Sequence, residues 1–324
     1  MKILVFGAGV IGTAVAWALS EAGHDVALLA RPQRAELLAE GISIEMIDGR
    51  AGKKAPETRA RFLPRVVTSI NDDYDLVIVT VRHRQTADAL EQIAPALGDG
   101  VVLFLTSNWE GVGFIDAVLS KRQYALGKVF AGGVLNGDVL TGAFVGELVL
   151  GSSVCGQQAE AETAAAAQRN VDVLVALFTE AGFKPKVIEN MEQWNWVDFA
   201  KKAGAVCGAA QAGGLVPFVE DRRAIQAFLL AGRDGLAVCK ARGADPKIDD
   251  DYDMFRMPTG PMSRLLHRVF RGEVSRRIAT GYGAHSAEDL RAIYEDVVAT
   301  GVALGVEMPH MLSHADEIQK LRDD

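Results

Sequence analysis

Three glycines near the amino terminus have the spacing of a turn that can bind phosphate groups. Gly7, Gly9 and Gly12 form the pattern G-x-G-x-x-G directly after Lys2–Phe6, an apolar run with the length of a buried parallel strand. The first glycine of this pattern permits a tight turn, the second lets the backbone approach a pyrophosphate, and the third lets a helix pack closely against the strand. We therefore predict that the turn binds a dinucleotide through its six residues, which are Gly7, Ala8, Gly9, Val10, Ile11 and Gly12.

The segments that flank the turn support this interpretation. Residues 10–22 predict an apolar helix, Gly23 can end it, and residues 25–30 predict a second strand. The alternatives are an ordinary strand–turn–helix unit and a signal peptide that begins at Lys2. No clear cleavage site precedes the second strand, and strands and helices continue to alternate downstream. We therefore favour a Rossmann-type dinucleotide-binding domain.

Arginines at the end of the second predicted strand favour NADP(H) as the dinucleotide. An NAD site usually has Asp or Glu here to bind the ribose 2′-hydroxyl. This chain has Ala30, Arg31 and Arg34 instead, and guanidinium groups suit a 2′-phosphate. Arg82 follows the buried run 75–81, at the strand edge where open α/β sheets bind ligands, and is a further expected cofactor contact. The alternative for Arg31 and Arg34 is that they are solvated side chains at the start of a surface helix.

A polar segment, residues 107–111, follows the predicted strand 101–106 at the same edge of the sheet. Within it, the amide of Asn108 can donate and accept hydrogen bonds at once, which suits a group between a nicotinamide ring and a substrate. The alternative is an asparagine that caps the helix running through Ile115.

The chain changes character near residue 190, which predicts two domains. Residues 1–189 read as an α/β domain, with residues 50–61 as a loop, 62–68 as a strand and an antiparallel hairpin that turns at Asn136 and Gly137. From residue 190 to residue 324 strand signals largely stop and helical segments follow one another. The predicted fold class is therefore α/β, an N-terminal Rossmann-type dinucleotide-binding domain followed by an all-helical C-terminal domain.

Composition narrows the class of protein. The 324 residues carry a formal net charge of -8, which argues against broad binding to nucleic acid or an anionic membrane. Three scattered cysteines, Cys155, Cys207 and Cys239, show no metal-ligand spacing, so we expect reduced structural thiols, no metal site and a cytoplasmic protein. No apolar run has the length of a membrane span. The apolar helical half favours a homodimer.

These motifs resemble those of the ketopantoate reductase family, the 2-dehydropantoate 2-reductases, along nearly the whole chain. The resemblance is strongest in KILVFGAGVIGT, in the arginine position at Arg31, and in VTVRHRQT, where the family usually has a lysine at Arg82. SNWEG is similar to the family's Asn-Gly segment, with Trp109 in place of the glycine. The resemblance implies NADPH-dependent reduction of a small 2-keto acid, ketopantoate or a relative, with Asn108 touching both cofactor and substrate.

The second domain departs from the family at its catalytic positions. Aligned on Trp196, the family's catalytic lysine falls on Asp198 and its asparagine on Lys202. Residues four apart share a helix face, so Lys202 is our candidate for the catalytic cation, paired with Asp198, while Lys201 points about a quarter-turn away. The resemblance further implies Asp289 as the catalytic acid and Ser263 as a substrate-binding serine.

Several alternatives stay open at this stage. Lys202 and Asp198 are equally consistent with a surface ion pair, and Asp289 with an acidic residue favoured by the helix dipole. For the whole chain, the leading hypothesis is the NADPH-dependent 2-keto acid reductase. The others are another NAD(P)-dependent dehydrogenase of similar architecture, acting on an opine or a 3-hydroxy acid, and a non-catalytic sensor of the NADP pool.

Overall fold

The chain folds into two compact units. The computed structural model describes residues 1–52, 55–153, 160–283 and 287–321. Unit 1 comprises residues 1–106 and 110–192, and unit 2 comprises residues 107–109 and 193–324. The sequence-based boundary at 189 and 190 thus lies three residues before the division of these units, and the short segment Ser107–Trp109 groups with the helical half. An N-terminal α/β unit followed by a largely helical one confirms the predicted fold class.

Unit 1 is built on one mixed sheet, whose strands among the described residues are β1 Lys2–Phe6, β2 Asp25–Leu29, β3 Ile42–Asp48, β4 Glu57–Phe62, β5 Arg65–Val67, β6 Leu76–Val79, β7 Val101–Phe104, β8 Tyr124–Asn136, β9 Val139–Gly151 and β10 Lys184–Val187. The strand order is β4-β3-β9-β8-β7-β6-β1-β2-β5, and β10 pairs with β9. Strands β5, β2, β1, β6, β7 and β8 run parallel to one another. Except in β5, which lies at the edge of the sheet, their apolar residues are largely buried, as strands covered by helices require.

The helices of unit 1 are α1 Val10–Glu21, α2 Pro32–Ala39, α3 Thr86–Ile93, α4 Gly113–Asp116 and α5 Ala161–Glu180. The predicted hairpin is confirmed, because β8 and β9 pair antiparallel from Asn136 and Val139 outwards. Gly137 in its turn has φ +58°, a conformation that glycine adopts at no steric cost.

The interpretation of residues 50–61 as a loop is wrong, and so is the single strand over 62–68. Residues Glu57–Phe62 form β4, which pairs antiparallel with β3, and Arg65–Val67 form β5, which pairs with β2 on the opposite edge of the sheet. Both are edge strands with polar side chains exposed on one face. Such strands lack the continuous apolar run that marks a central parallel strand, so their composition resembles that of a loop.

Unit 2 is helical, and its helices are α6 Met191–Ala212, whose first two residues belong to unit 1, α7 Leu215–Glu220, α8 Arg222–Ala241, α9 Tyr252–Arg256, α10 Thr259–Phe270, α11 Glu273–Gly283, α12 Ala287–Ala303, α13 Pro309–Leu312 and α14 Ala315–Gln319. Helix α8 lies at the centre, with most of its residues buried. It packs very close to α6, since a Cβ on Gly204 would lie 2.8 Å from the backbone nitrogen of Gly232. The two glycines therefore fix the position of α6 against the core.

Among the helices of the described residues, none combines the length and the hydropathy needed to cross a membrane.

Two of the cysteines are buried in unit 2, and burial raises the pKa of both thiols, Cys207 and Cys239, to about 12. Because the thiolate is the reactive form, we expect neither residue to be alkylated by iodoacetamide in the native protein at about pH 8. Peptide mapping by mass spectrometry checks this, with the urea-unfolded protein as the control in which both residues react. Native labelling of either residue as fast as a free thiol would contradict the burial. Cys155 lies outside the described residues.

Candidate active site

The glycine turn has the geometry that close approach to a phosphate requires. Gly7 has φ +118°, and a Cβ on Gly12 would lie 1.8 Å from the Gly7 carbonyl oxygen, so α1 can begin here only with glycine at both positions. Gly9 is different, because a Cβ there would meet no atom within 4 Å. Its exposed backbone borders open space, and no side chain caps the first turn of α1. The free N–H groups of a helix start bind anions, so the turn fits a pyrophosphate.

The turn lies where the strand order reverses. Phe6 at the end of β1 pairs with Leu29 of β2 on one side and Val79 of β6 on the other. The residues that follow these strands therefore emerge at one edge of the sheet, at the topological switch point where open α/β sheets bind ligands. Thr80 supports the turn, because its hydroxyl donates to the Gly7 carbonyl oxygen at 3.0 Å.

The predicted cofactor arginines follow two of these strands. Arg31 is exposed and precedes α2, two residues beyond β2. Arg34 is half-buried one turn later, and its guanidinium donates a long hydrogen bond of 3.4 Å to the Gly137 carbonyl oxygen. Arg82 is exposed three residues beyond β6. These positions fit the recognition of a 2′-phosphorylated nucleotide, because all three cations follow strands that end at the same edge.

In unit 2, a lysine, a serine and an aspartate form a hydrogen-bonded network. The Lys202 ammonium donates to the Ser107 hydroxyl oxygen at 2.6 Å and pairs with the Asp198 carboxylate at 2.9 Å. The Ser107 hydroxyl in turn donates to the same carboxylate at 2.8 Å. Asp198 is buried, with 6% of its surface exposed, so its charge depends on these partners. Lys202 and Asp198 are therefore more than a surface ion pair, because their carboxylate is inside the protein.

Lys201, the neighbouring lysine, serves a different purpose. Its ammonium pairs with the Asp249 carboxylate at 2.6 Å and with that of Asp251 at 3.2 Å, away from Ser107. Burial lowers the pKa of Lys201, but the carboxylates of Asp249, Asp198 and Asp251 outweigh it, so that the net shift is upwards. Lys201 thus anchors the segment before α9 to α6 as a charged group. The quarter-turn between adjacent helical residues separates the two lysines, as the sequence predicts.

Trp109 holds the segment Ser107–Trp109 in the core of unit 2. Its ring stacks on Phe199 with centroids 5.5 Å apart, and its indole N–H donates to the Thr300 hydroxyl at 2.8 Å. The Arg242 guanidinium lies 4.7 Å from the centre of the same ring and donates to the Trp109 carbonyl oxygen. The tryptophan that replaces the family's glycine is therefore a packing anchor, which fixes Ser107 beside Lys202.

The three remaining predicted residues, Asn108, Asp289 and Ser263, lie in different segments of unit 2. Asn108 is half-buried between the two anchored residues of its segment, and Asp289 is half-buried in the first turn of α12. Ser263 is fully buried in α10, where its hydroxyl donates to the Gly260 carbonyl oxygen at 2.9 Å and accepts from the Gln226 amide at 3.4 Å. These contacts join Ser263 to its own helix and to Gln226 of α8, and no bond to the lysine network is among them.

Sequence reasoning missed two members of the site. Ser107 contacts residues 91 and 95 positions later, and no local pattern reveals such a partner. In the sequence, Trp109 stands out only because it replaces the glycine of the family pattern. A tryptophan beside a polar strand end was the available signal, because a ring of this size is usually buried. Among the described residues, no group of three or more His, Cys, Asp or Glu side chains has the arrangement of a metal site.

A family profile and two curated relatives are similar to parts of this chain. The profile of the family described as Ketopantoate reductase PanE/ApbA matches residues 3–152. The 2-dehydropantoate 2-reductase of Pyrococcus horikoshii is 28% identical over 199 residues, which are 60% of this chain and 59% of that protein. The enzyme of the same name from Aquifex aeolicus is 29% identical over 140 residues, 43% of this chain and 40% of that protein. The chain thus matches less than two thirds of the length of these curated relatives.

Solved structures share the fold over the whole chain. A 2-dehydropantoate 2-reductase from Geobacter metallireducens has a TM-score of 0.72 and 17% identity, with 99% of each chain covered. A D-mandelate dehydrogenase in a ternary structure with NADH and anilino(oxo)acetate has a TM-score of 0.70 and 16% identity, with 98% of this chain and 97% of that one covered. The family profile and the curated relatives point to the ketopantoate reductase family, in agreement with the resemblance seen in the motifs.

The open space at Gly9 yields a prediction for Gly9→Ala. A Cβ there fits the free protein but intrudes where a pyrophosphate would lie, so we expect unchanged thermal stability and NADPH affinity lowered about tenfold. Fluorescence titration with NADPH and a thermal melt provide the two measurements. Gly260→Ala is the matched control, because a Cβ there also meets nothing within 4 Å. Equal NADPH affinity in both variants would remove the turn from the cofactor site.

Proposed function

We propose that the protein is an NADPH-dependent reductase that converts a small 2-keto acid into a 2-hydroxy acid. The observation that carries this proposal is the Lys202 ammonium held by Ser107 and the buried carboxylate of Asp198. A cation in fixed position is what the oxygen of a reducible carbonyl needs as negative charge develops on it. The family match and the glycine turn supply the second support, a nucleotide-binding unit at the start of the same chain.

The reaction adds a hydride and a proton across the C=O bond. The glycine turn would hold the pyrophosphate of a nicotinamide cofactor, and such a cofactor would be the source of the hydride. Lys202 polarises the carbonyl oxygen and donates the proton, which leaves a neutral amine to be reprotonated from solvent. Asp198 favours the charged ammonium before each turnover, and Ser107 fixes the direction in which the ammonium points. Asn108 is proposed to donate hydrogen bonds to cofactor and substrate, and Asp289 to bind a substrate hydroxyl.

The class of substrate follows from the relatives and from the departures in this chain. The curated relatives are named for 2-dehydropantoate, and one structural neighbour is a D-mandelate dehydrogenase, whose name refers to an aromatic 2-hydroxy acid. Because the lysine and asparagine positions of the family are Asp198 and Lys202 here, we propose a 2-keto acid related to ketopantoate and place ketopantoate and phenylglyoxylate first in the assay panel. A cytoplasmic location and a homodimer stay predictions.

Lys202→Met tests the role of the ammonium. Loss of a positioned acid and cation is expected to lower kcat by about a hundredfold or more, with NADPH affinity unchanged. Steady-state oxidation of NADPH against the 2-keto acid panel measures the first effect, and fluorescence titration measures the second.

Lys201→Met is the matched control for that experiment. It removes the adjacent lysine and leaves the buried Asp249 carboxylate unpaired, so we expect a loss of about 3 kcal/mol in the free energy of unfolding. Its kcat per folded molecule should stay within about twofold of the parent protein. Equal losses of kcat in the two variants would exclude a specific catalytic role for Lys202. Tight NADPH binding without turnover of any panel member would favour the sensor hypothesis.

Arg31→Ala tests the choice of cofactor. If the guanidinium binds a 2′-phosphate, kcat/KM for NADPH should fall about tenfold while that for NADH changes little. Arg34→Ala should act in the same direction. Exposed Arg84→Ala provides a comparison at the same sheet edge, for which we expect a smaller effect. Proportional losses with both cofactors would show that Arg31 does not discriminate between them.

A further inference from the structure

A cavity of about 370 Å³, open to solvent, lies on the surface of unit 2, outside the lysine network. Four of its lining residues, Gln211, Arg223, His310 and Ser313, are exposed. It is formed by the end of α6, the first half of α8 and the segment around α13. Its lining residues are Gln211, Arg223, Gln226, Ala227, Leu230, His310, Ser313 and His314.

The side chains that line this cavity are basic or neutral, in contrast to the negative net charge of the whole chain. Among the residues that the structure describes, one arginine and two histidines line the cavity and no carboxylate does, although the whole chain carries a formal net charge of -8. Within the part of the chain that the structure describes, no ion pair involves the Arg223 side chain. A guanidinium without a protein carboxylate can bind an oxyanion with two parallel hydrogen bonds. Ala227 and Leu230 add an apolar surface beside it.

A buried carboxylate holds the backbone at the start of the segment that carries the two histidines. Asp234 of α8, which is 7% exposed, accepts hydrogen bonds from the backbone N–H groups of His310 at 2.7 Å and Met311 at 2.9 Å. The two hydrogen bonds fix α13 against α8. Both are accepted by one carboxylate oxygen of Asp234, a residue that does not line the cavity. Burial lowers the pKa of His314, His310 lowers it further and Glu317 opposes them. A neutral imidazole can still donate one N–H to an anion.

The cavity is separate from the lysine network along α6. Gln211 follows Lys202 by nine residues, which places it about 13 Å further along the helix axis and about half a turn around it. A ligand in the cavity therefore approaches the opposite face of α6 from the one that presents Lys202.

We propose that this cavity is a second ligand site, which binds a small organic oxyanion. The Arg223 guanidinium, the His310 and His314 imidazoles and the Gln211 amide surround the anionic group, and Ala227 with Leu230 contacts the apolar body. The volume exceeds what a single phosphate group fills, so the ligand is an anion with an organic portion, a phosphate monoester or a carboxylate. None of the residues of this second site takes part in the proposed reduction of a 2-keto acid.

The test uses the full chain with histidine rings labelled with carbon-13. Phenyl phosphate and benzoate are the two ligands added as probes. NMR signals of His310 and His314, assigned with His310→Gln and His314→Gln, report binding at this cavity, separate from any phosphate binding at the glycine turn. We expect saturable shifts of both signals, with the tighter of the two probes identifying the anionic group. Phenol, which has the ring without the charge, should cause none.

Arg223→Gln should weaken binding about tenfold or more, because it removes a charge-assisted contact. Arg222→Gln is the matched control, since Arg222 is an exposed neighbour on α8 that does not line the cavity, and its affinity should stay within about twofold. Absence of saturable shifts up to about 10 mM of both anions would overturn the proposal. Equal affinity in the two arginine variants, or equal shifts with phenol, would also overturn it.

Discussion

The candidate site depends on one buried carboxylate. Asp198 has only 6% of its surface exposed, and an isolated charge at such a position costs far more than folding can supply. Its stability therefore requires that Lys202 and the Ser107 hydroxyl remain within hydrogen-bond distance. The same requirement fixes the ammonium, which would otherwise sample several rotamers on a flexible four-carbon chain. The ammonium is thus held in one position because the anion beside it is buried away from solvent.

This dependence explains why a tryptophan follows Asn108. Ser107 can satisfy Asp198 only if its backbone is held, and the short segment 107–109 has no secondary structure of its own. Trp109 provides the anchor through its stack on Phe199 and its contacts with Arg242. A buried aromatic ring adds about 0.5–1.5 kcal/mol per favourable pair beyond the area that it buries. The departure from the family's glycine and the departures at Asp198 and Lys202 are in this sense parts of one arrangement.

The sequence predicts those parts of the molecule whose physical cause is local. The glycine turn follows from three spacings within six residues, and the separate directions of Lys201 and Lys202 follow from the helical angle of about 100° per residue. The strand β4 does not follow from the sequence, because its exposed edge positions carry polar side chains, which is also the composition of a loop. Ser107 could not be found, since its partners lie more than ninety residues away. The substrate-binding role of Ser263 stays a prediction, and its buried hydroxyl bonds to Gly260 of its own helix and to Gln226 of α8.

The exchange of positions on α6 has a consequence for the energetics of the site. If Lys202 replaces the family's lysine, as we propose, the cation lies four residues, about 6 Å, further along the helix, and Asp198 occupies the lysine position. An i and i+4 pair keeps both groups on one face, so the ammonium still points to the side where Ser107 lies. Removing Lys202 takes an ion-pair partner from the buried Asp198 carboxylate, whereas removing Asp198 takes one from an ammonium that is only partly buried, so the first change is expected to cost more. Asp198, Lys202 and Ser107 therefore contribute as a coupled set, and the effect of changing any one of them includes the cost imposed on the other two.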